Sequence, residues 1–492
     1  MGDGTLRPVR LDRPLVARTL LAALILLWPL LIFGTPAYFS DSLSYYKGGR
    51  AAVAYVEQAL SPTETAFPAG GGSGGGAPVK EAKGARSVLY SVAAYLLAAP
   101  GASMTLLAIL QALVTAFVLV IFLQHIAFTR LSHSTAISAL IGIATPAACF
   151  AAFIVPDILA GVLILAMALL GAEPARLSRS IKVALVGIAA FAVTAHASHP
   201  PIALGAALAA AIWFAFRRPG DWISSAALLA LPLALGVTAT LLSGLVGFGT
   251  LSVAPKRYPL TLARSIEDGP GRWYLERACR TPRYAVCEVF GTEYPDTVPE
   301  FLWGDKGVKD RASPEQMDRI RAEESEIVLA AARAYPDAQL RRMIANIAEQ
   351  SVRFGLTGLG FGQKVVLDRS GLPVLATTDA QGASVLLIVE KGTLAAVVLS
   401  MIALIFLWPS LPPAFRRLVV LIAAGIASNV VVCALFSGVA DRYQARVIWT
   451  VPLLALALLA ARLNAPARAS SPAHRQRRGP AQSSPAHRAS PG

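Results

Sequence analysis

For most of its length the chain alternates between apolar runs of about 20 residues and short polar connections. Such runs predict membrane-spanning helices, because a backbone in lipid must satisfy its own N–H and C=O groups within the segment. About ten spans are expected, over 16–37, 103–127, 135–154, 157–172, 181–196, 200–216, 223–247, 394–410, 417–437 and 447–462. Basic residues precede the first run, as in a secretory signal. No small-residue cleavage site follows it, so it is read as an anchor.

Two polar stretches interrupt this pattern. The first, 38–102, contains "AFPAGGGSGGGAPVK", a floppy linker by composition, with no Lys-Ser/Thr after it to make a phosphate loop. The apolar but short "GARSVLYSVAAYLLAAPGA" then predicts an interfacial or re-entrant helix. The second, 250–392, is long enough for a small domain. In it Ser313 is placed to cap a helix that has Pro314 at its first position, and Ile320, Ile327, Val328 and Ala331 recur at helical spacing. A second helix, "DAQLRRMIANIAEQSVRFG", is expected to end at Gly355, and the remainder to be irregular with one short strand. The expected class is an α-helical polytopic membrane protein of about ten transmembrane helices, with one mainly helical extracytoplasmic domain between spans seven and eight. Its parts are a cytoplasmic N-terminus 1–15, a membrane domain 16–249, the outer domain 250–392, membrane helices 393–462 and a disordered basic tail 463–492.

Composition supports the membrane class: of 492 residues 55% are hydrophobic and only 15% charged, with a mean hydropathy of +0.58. The net charge of +15 does not point to nucleic acid, because the basic residues lie between apolar segments and in the tail. Arg7, Arg10, Arg13 and Arg18, then Arg130, then Arg176, Arg179 and Lys182, then Arg217 and Arg218, then Arg416 and Arg417 mark alternate connections as cytoplasmic. Both termini are thus expected in the cytoplasm of a multi-pass protein of the inner (plasma) membrane. Asp41, Asp157, His196, His199, Asp441 and Arg442 fall outside.

Of four cysteines, Cys149 and Cys433 lie within spans as packing residues. Cys279 and Cys287 share the outer domain, where an oxidising compartment favours a bridge between them; two buried thiols are the alternative.

The scarce titratable residues of the outer connections supply the candidate chemistry. Asp41, in "YFSDSLSYYKGG", can serve as a general base oriented by Ser40, Ser42 and Ser44, as a metal ligand, or as a plain solvated loop residue. Asp157, in "FIVPDILAGVLIL", is either a functional charge beside apolar sequence or an acid favoured at a helix N-terminus. His196 and His199, in "AHASHPP", can face a metal, a proton or a phosphate, or merely end a helix. Arg442 and Arg446 stand one turn apart on the side where arginine is disfavoured. They suit a phosphate; the alternative is an Asp441–Arg442 surface pair with snorkelling stems. Arg264, Glu267, Asp268, Arg272 and Trp273 form a mixed-charge patch, either structural or suited to a sugar or headgroup.

Taken together, "YFSDSLSYYKGG" just past the first span, the amphipathic "RSVLYSVAAYLL", the short "PDILAGVLIL" hairpin and "DRYQARVIWTVPLL" before the last span resemble the GT-C polytopic glycosyltransferases. The resemblance implies a polyprenyl-phosphate sugar as donor and a glycan or glycolipid acceptor outside the membrane. It implies Asp41 as catalytic base or metal-linked carboxylate, with Asp157 a second acid near the site and a divalent metal on the two as an option. Arg442 would meet the donor phosphate, and Arg446 or His199 could add charge beside it. Many relatives carry paired acids in the first outer loop, whereas Asp41 stands between serines. O-antigen ligases and polymerases also place an outer domain centrally to late, with outward Arg and His. A transporter or a non-catalytic assembly protein of the envelope is the alternative of another class, although the spans carry few charges and no internal repeat is evident.

Overall fold

The computed structural model describes residues 8–60, 86–98, 100–127, 130–217, 220–253, 256–281, 283–356, 358–369, 372–377 and 383–463. The glycine run, the basic tail, Arg7 and Arg218 lie outside these residues. The described chain is mostly helical. Among the described residues, seven helices are long and apolar enough to cross a membrane: Arg13–Phe33, Thr105–Ala127, His199–Arg217, Trp222–Phe248, Ser384–Ser410, Pro413–Phe436 and Asp441–Leu463. Leu131–Ala144 and Ile158–Ala172 are apolar but shorter, and Arg179–Ala195 has 17 residues. The run expected over 135–154 is broken. Its helix stops at Ala144, and a five-residue turn Ala147–Ala151 restarts after Pro146, which has no N–H to continue the ladder.

Ile158–Ala172 is the centre of the bundle. Every one of its residues is buried, as expected for a helix that is apolar all round. It is enclosed by Thr105–Ala127, Arg179–Ala195, His199–Arg217 and Pro413–Phe436. Close approach depends on Gly161, where an added Cβ would stand 2.7 Å from the Trp449 ring.

Chain segments far apart in sequence meet at the two ends of the bundle. At one end Val9 N–H donates to the Arg176 carbonyl at 2.9 Å, and Arg417 bonds both oxygens of Asp221 at 3.1 Å. At the other, Ala37 exchanges backbone bonds with Ala152 and Ile154 at 2.9 Å, and Tyr38 N–H reaches Gly360 O at 3.1 Å.

A small helical domain caps this second end. Its own core includes Leu262, Ile266, Leu275, Phe290, Phe301, Ile320 and Ile327. Pro314–Ala334 starts at a capping box in which Ser313 and Gln316 satisfy each other's backbone N–H groups. Cys279 and Cys287 are disulfide-bonded, with Cα atoms 5.2 Å apart. Pro336–Val352 follows, and its end is tied to the bundle. Gln350 donates to Ala440 O at 3.0 Å and accepts from Ala440 N–H at 2.9 Å, while Arg353 Nε bonds Asp441 Oδ1 at 3.0 Å.

Two further features differ from expectation. The stretch expected to hold one strand forms an antiparallel hairpin, β1 (Gln363–Leu367) with β2 (Pro373–Thr377), because a lone strand would leave its backbone groups unpaired. The next membrane helix begins at Ala383, ahead of the expected 394. Glu390 and Lys391 interrupt the apolar run there, but Glu390 is used as an acceptor for Leu356 N–H at 3.2 Å, so the helix continues through it.

Candidate functional site

Asp41 lies in the first turn of the helix Ser40–Leu60 rather than in a loop. A carboxylate there is favoured by the helix dipole. Ser42 fixes this start: its hydroxyl accepts from Phe39 N–H at 2.9 Å and donates to Ile154 O at 2.7 Å. It therefore holds the helix to the 153–157 turn and does not orient Asp41. The partner of Asp41 is Arg86, a partly exposed ion pair.

Arg86 was not singled out from sequence. The signal was that the amphipathic stretch "RSVLYSVAAYLL" opens on it. It is brought to Asp41 because Val88–Leu96 packs flat on Ser40–Leu60, where Gly48 and Gly49 leave room. A Cβ on Gly49 would strike the Ser91 carbonyl and lie 2.7 Å from Tyr95 Cβ. Tyr45 and Tyr90 seal the contact edge to face at 4.9 Å. Tyr90 OH then donates to Gln111 at 2.8 Å, and the Gln111 amide donates to the carbonyls of Ala151 and Phe153 at 3.1 and 2.9 Å.

Asp157 and Arg446, given separate roles by the sequence, bond to each other. Arg446 Nη1 donates to Asp157 Oδ1 at 2.9 Å, and both side chains are buried. Nη2 reaches Asn429 Oδ1 and Ser198 Oγ, each at 2.8 Å, and Nε reaches Asn429 Oδ1 at 3.2 Å. Each of the three guanidinium nitrogens thus has a protein acceptor. A buried pair of this kind holds its geometry strictly, since losing one partner strands the other charge.

Arg442 differs. It lies over the rings of Phe39 at 4.4 Å and Tyr443 at 5.0 Å, and it donates to Tyr443 OH at 3.3 Å. Asp157 and Asp41 stand near enough to interact with its charge, yet among the described residues no carboxylate forms an ion pair with it. Tyr45 lies within the same electrostatic neighbourhood of Asp41, Arg86, Asp157 and Arg442. Four sequence-separated elements therefore converge beneath the helical cap.

His196 and His199 do not share one helical turn. His196 ends Arg179–Ala195 in extended conformation and His199 begins the next helix, their rings 5.4 Å apart. The carbonyl of Ala192, 2.6 Å from His199 Nδ1, fixes that nitrogen as the donor, and Nε2 is left buried without a partner. His196 Nδ1 accepts from Ser198 N–H at 3.2 Å.

The donor sets of Asp41 and Asp157 do not fit a divalent ion. Each carboxylate holds a guanidinium, and among the described residues no three His, Cys, Asp or Glu side chains group as metal ligands. In the mixed-charge patch, Arg264 bonds Glu267 and Asp268 at 2.5 and 2.9 Å, Asn346 binds Asp268, and Arg272 pairs with Asp296 at 2.7 Å. Arg264, Glu267 and Asp268 are thus engaged with one another, and Arg272 with an acid outside the patch.

No family model, curated protein or solved structure matches the chain.

Proposed function

We propose that this is a membrane glycosyltransferase that moves a sugar from a polyprenyl-phosphate donor to an envelope glycan or lipid acceptor. In this reading the chain crosses the plasma membrane about ten times, both termini are cytoplasmic, and the capped end of the bundle faces out. The observation that carries it is Arg442: a half-buried guanidinium clasped between two aromatic faces, close to two acids but ion-paired with neither. A planar cation at a wet–dry boundary is suited to the oxygens of a phosphate.

The reaction then divides among named groups. Negative charge develops on the donor phosphate as the bond from the sugar's anomeric carbon to the phosphate oxygen breaks, and Arg442 stabilises it. The acceptor hydroxyl forms the new bond to that carbon and gives its proton to Asp41, the carboxylate paired with Arg86. Asp157 and Arg446 act as a buried brace that sets the height of the Arg442 turn, rather than as a second acid and a second phosphate ligand. The lipid tail of the donor, lying beside the spans, makes the encounter effectively unimolecular. No step is assigned to a metal ion.

The test is mass spectrometry of envelope glycans and glycolipids from a deletion strain complemented with wild type, Asp41→Asn or Arg442→Gln. Wild type restores a lost sugar and the two variants do not. A profile unchanged by deletion removes the proposal.

A further inference from the structure

The helix Pro336–Val352 carries an apolar stripe that the rest of its domain leaves uncovered. Asn346 and Gln350, four residues apart, point into the body, where Asn346 bonds Asp268 and Gln350 bonds Ala440. About a third of a turn away Leu340 and Ile344, also four apart, are 57% and 59% exposed. Val352 at the end of the helix is 70% exposed. Met343 and Ile347 are half-buried between these two pairs, so the apolar face runs past the edge of the packed surface and leaves Leu340 and Ile344 uncovered.

The position of the helix supplies the reason. It packs more against Pro413–Phe436 and Asp441–Ile448 than against Pro314–Ala334, its neighbour in the cap. Its last turn is bonded to Ala440 and Asp441, at the point where the apolar segment Asp441–Leu463 begins. It therefore sits at the level where a bilayer would end. Arg341, exposed, lies about a quarter turn from the aliphatic stripe, where its long stem lets the guanidinium rise to headgroup phosphates.

We infer that Pro336–Val352 is an interfacial helix that seats Leu340 and Ile344 in the headgroup–acyl boundary of the bilayer, with Arg341 on the phosphates of anionic lipids. The partner is the lipid surface itself, chosen over a second protein copy by the flanking Arg341 and by the ties of the helix to Ala440 and Asp441, where the apolar segment Asp441–Leu463 begins. This inference rests on the membrane class alone and stands or falls apart from the transferase reading.

The experiment uses the full chain in vesicles of phosphatidylcholine and phosphatidylglycerol, with an environment-sensitive fluorophore on Ile344→Cys or, in a second variant, Leu340→Cys. The native free thiols, Cys149 and Cys433, are buried. A nitroxide lipid labelled high on the acyl chain should quench these positions about twofold or more beyond Lys309→Cys, an exposed site elsewhere in the cap. Arg341→Gln, or vesicles of phosphatidylcholine alone, should lower that quenching. Equal quenching at residues 344 and 309 overturns the inference. So does a blue-shifted, unquenched label that transfers energy to a second labelled copy, which would make the face a protein interface.

Discussion

Arg446 and Asp157, 289 residues apart in sequence, meet at 2.9 Å with no water-exposed surface on the guanidinium. Asp157→Ala leaves that cation buried with only neutral acceptors. The expected loss is about 3–5 kcal/mol of stability. The double change Asp157→Leu, Arg446→Met should recover much of it, since it removes both charges. Thermal unfolding of the detergent-solubilised protein reads this out, and a stable single variant would contradict the brace.

Arg442→Lys should leave the unfolding temperature near wild type while transfer falls by about 100-fold. Lysine keeps the charge but not the planar fork, nor the stacking on Phe39 and Tyr443. Sugar release from a polyprenyl-phosphate donor is the assay, and full activity in the lysine variant excludes bidentate phosphate contact.

Asp41→Asn should separate the same two readouts in another way. The Asp41–Arg86 pair is partly exposed, so its removal costs no more than about 1 kcal/mol in stability. Transfer should be abolished. If Arg86→Gln loses stability far beyond that range, the pair is structural and the base assignment weakens.

Gly161→Ala probes the centre of the bundle. The new methyl group would sit 2.7 Å from the Trp449 ring, and overpacking of this kind costs about 1–3 kcal/mol. Trp449 donates its Nε1–H to Arg446 O at 2.9 Å, so displacement of the ring should also lower transfer. Unfolding and turnover measured on one preparation test both effects.

In the cap, Cys279→Ser with Cys287→Ser opens a bridge between residues eight apart. A loss of about 2 kcal/mol is expected. Limited proteolysis of the full chain should cut the variant earlier than wild type, and reductant should bring the wild type to the same rate.

What the sequence revealed and what it hid follow from the range of the interactions involved. The start of Pro314–Ala334 was readable because a capping box lies within four consecutive residues. The apolar helices were readable because lipid imposes a length on them. The Asp157–Arg446 bond was not, since nothing local in "PDILAG" or "DRYQAR" says that the two turns face each other. Arg86 was hidden for a similar reason: its role arises from two glycines, Gly48 and Gly49, on a different helix. Spacing alone could not place the histidine pair: although three apart, His196 ends one helix in extended conformation and His199 begins the next.

The reciprocal amide clasp of Gln350 on Ala440 makes the soluble cap and the final membrane segment one mechanical piece. Ala440 is two residues from Arg442, so lifting the cap would drag the half-buried cation with it. Whatever the cap grips would then be sensed at Arg442 as a tug on the chain, carried through the Gln350–Ala440 bonds.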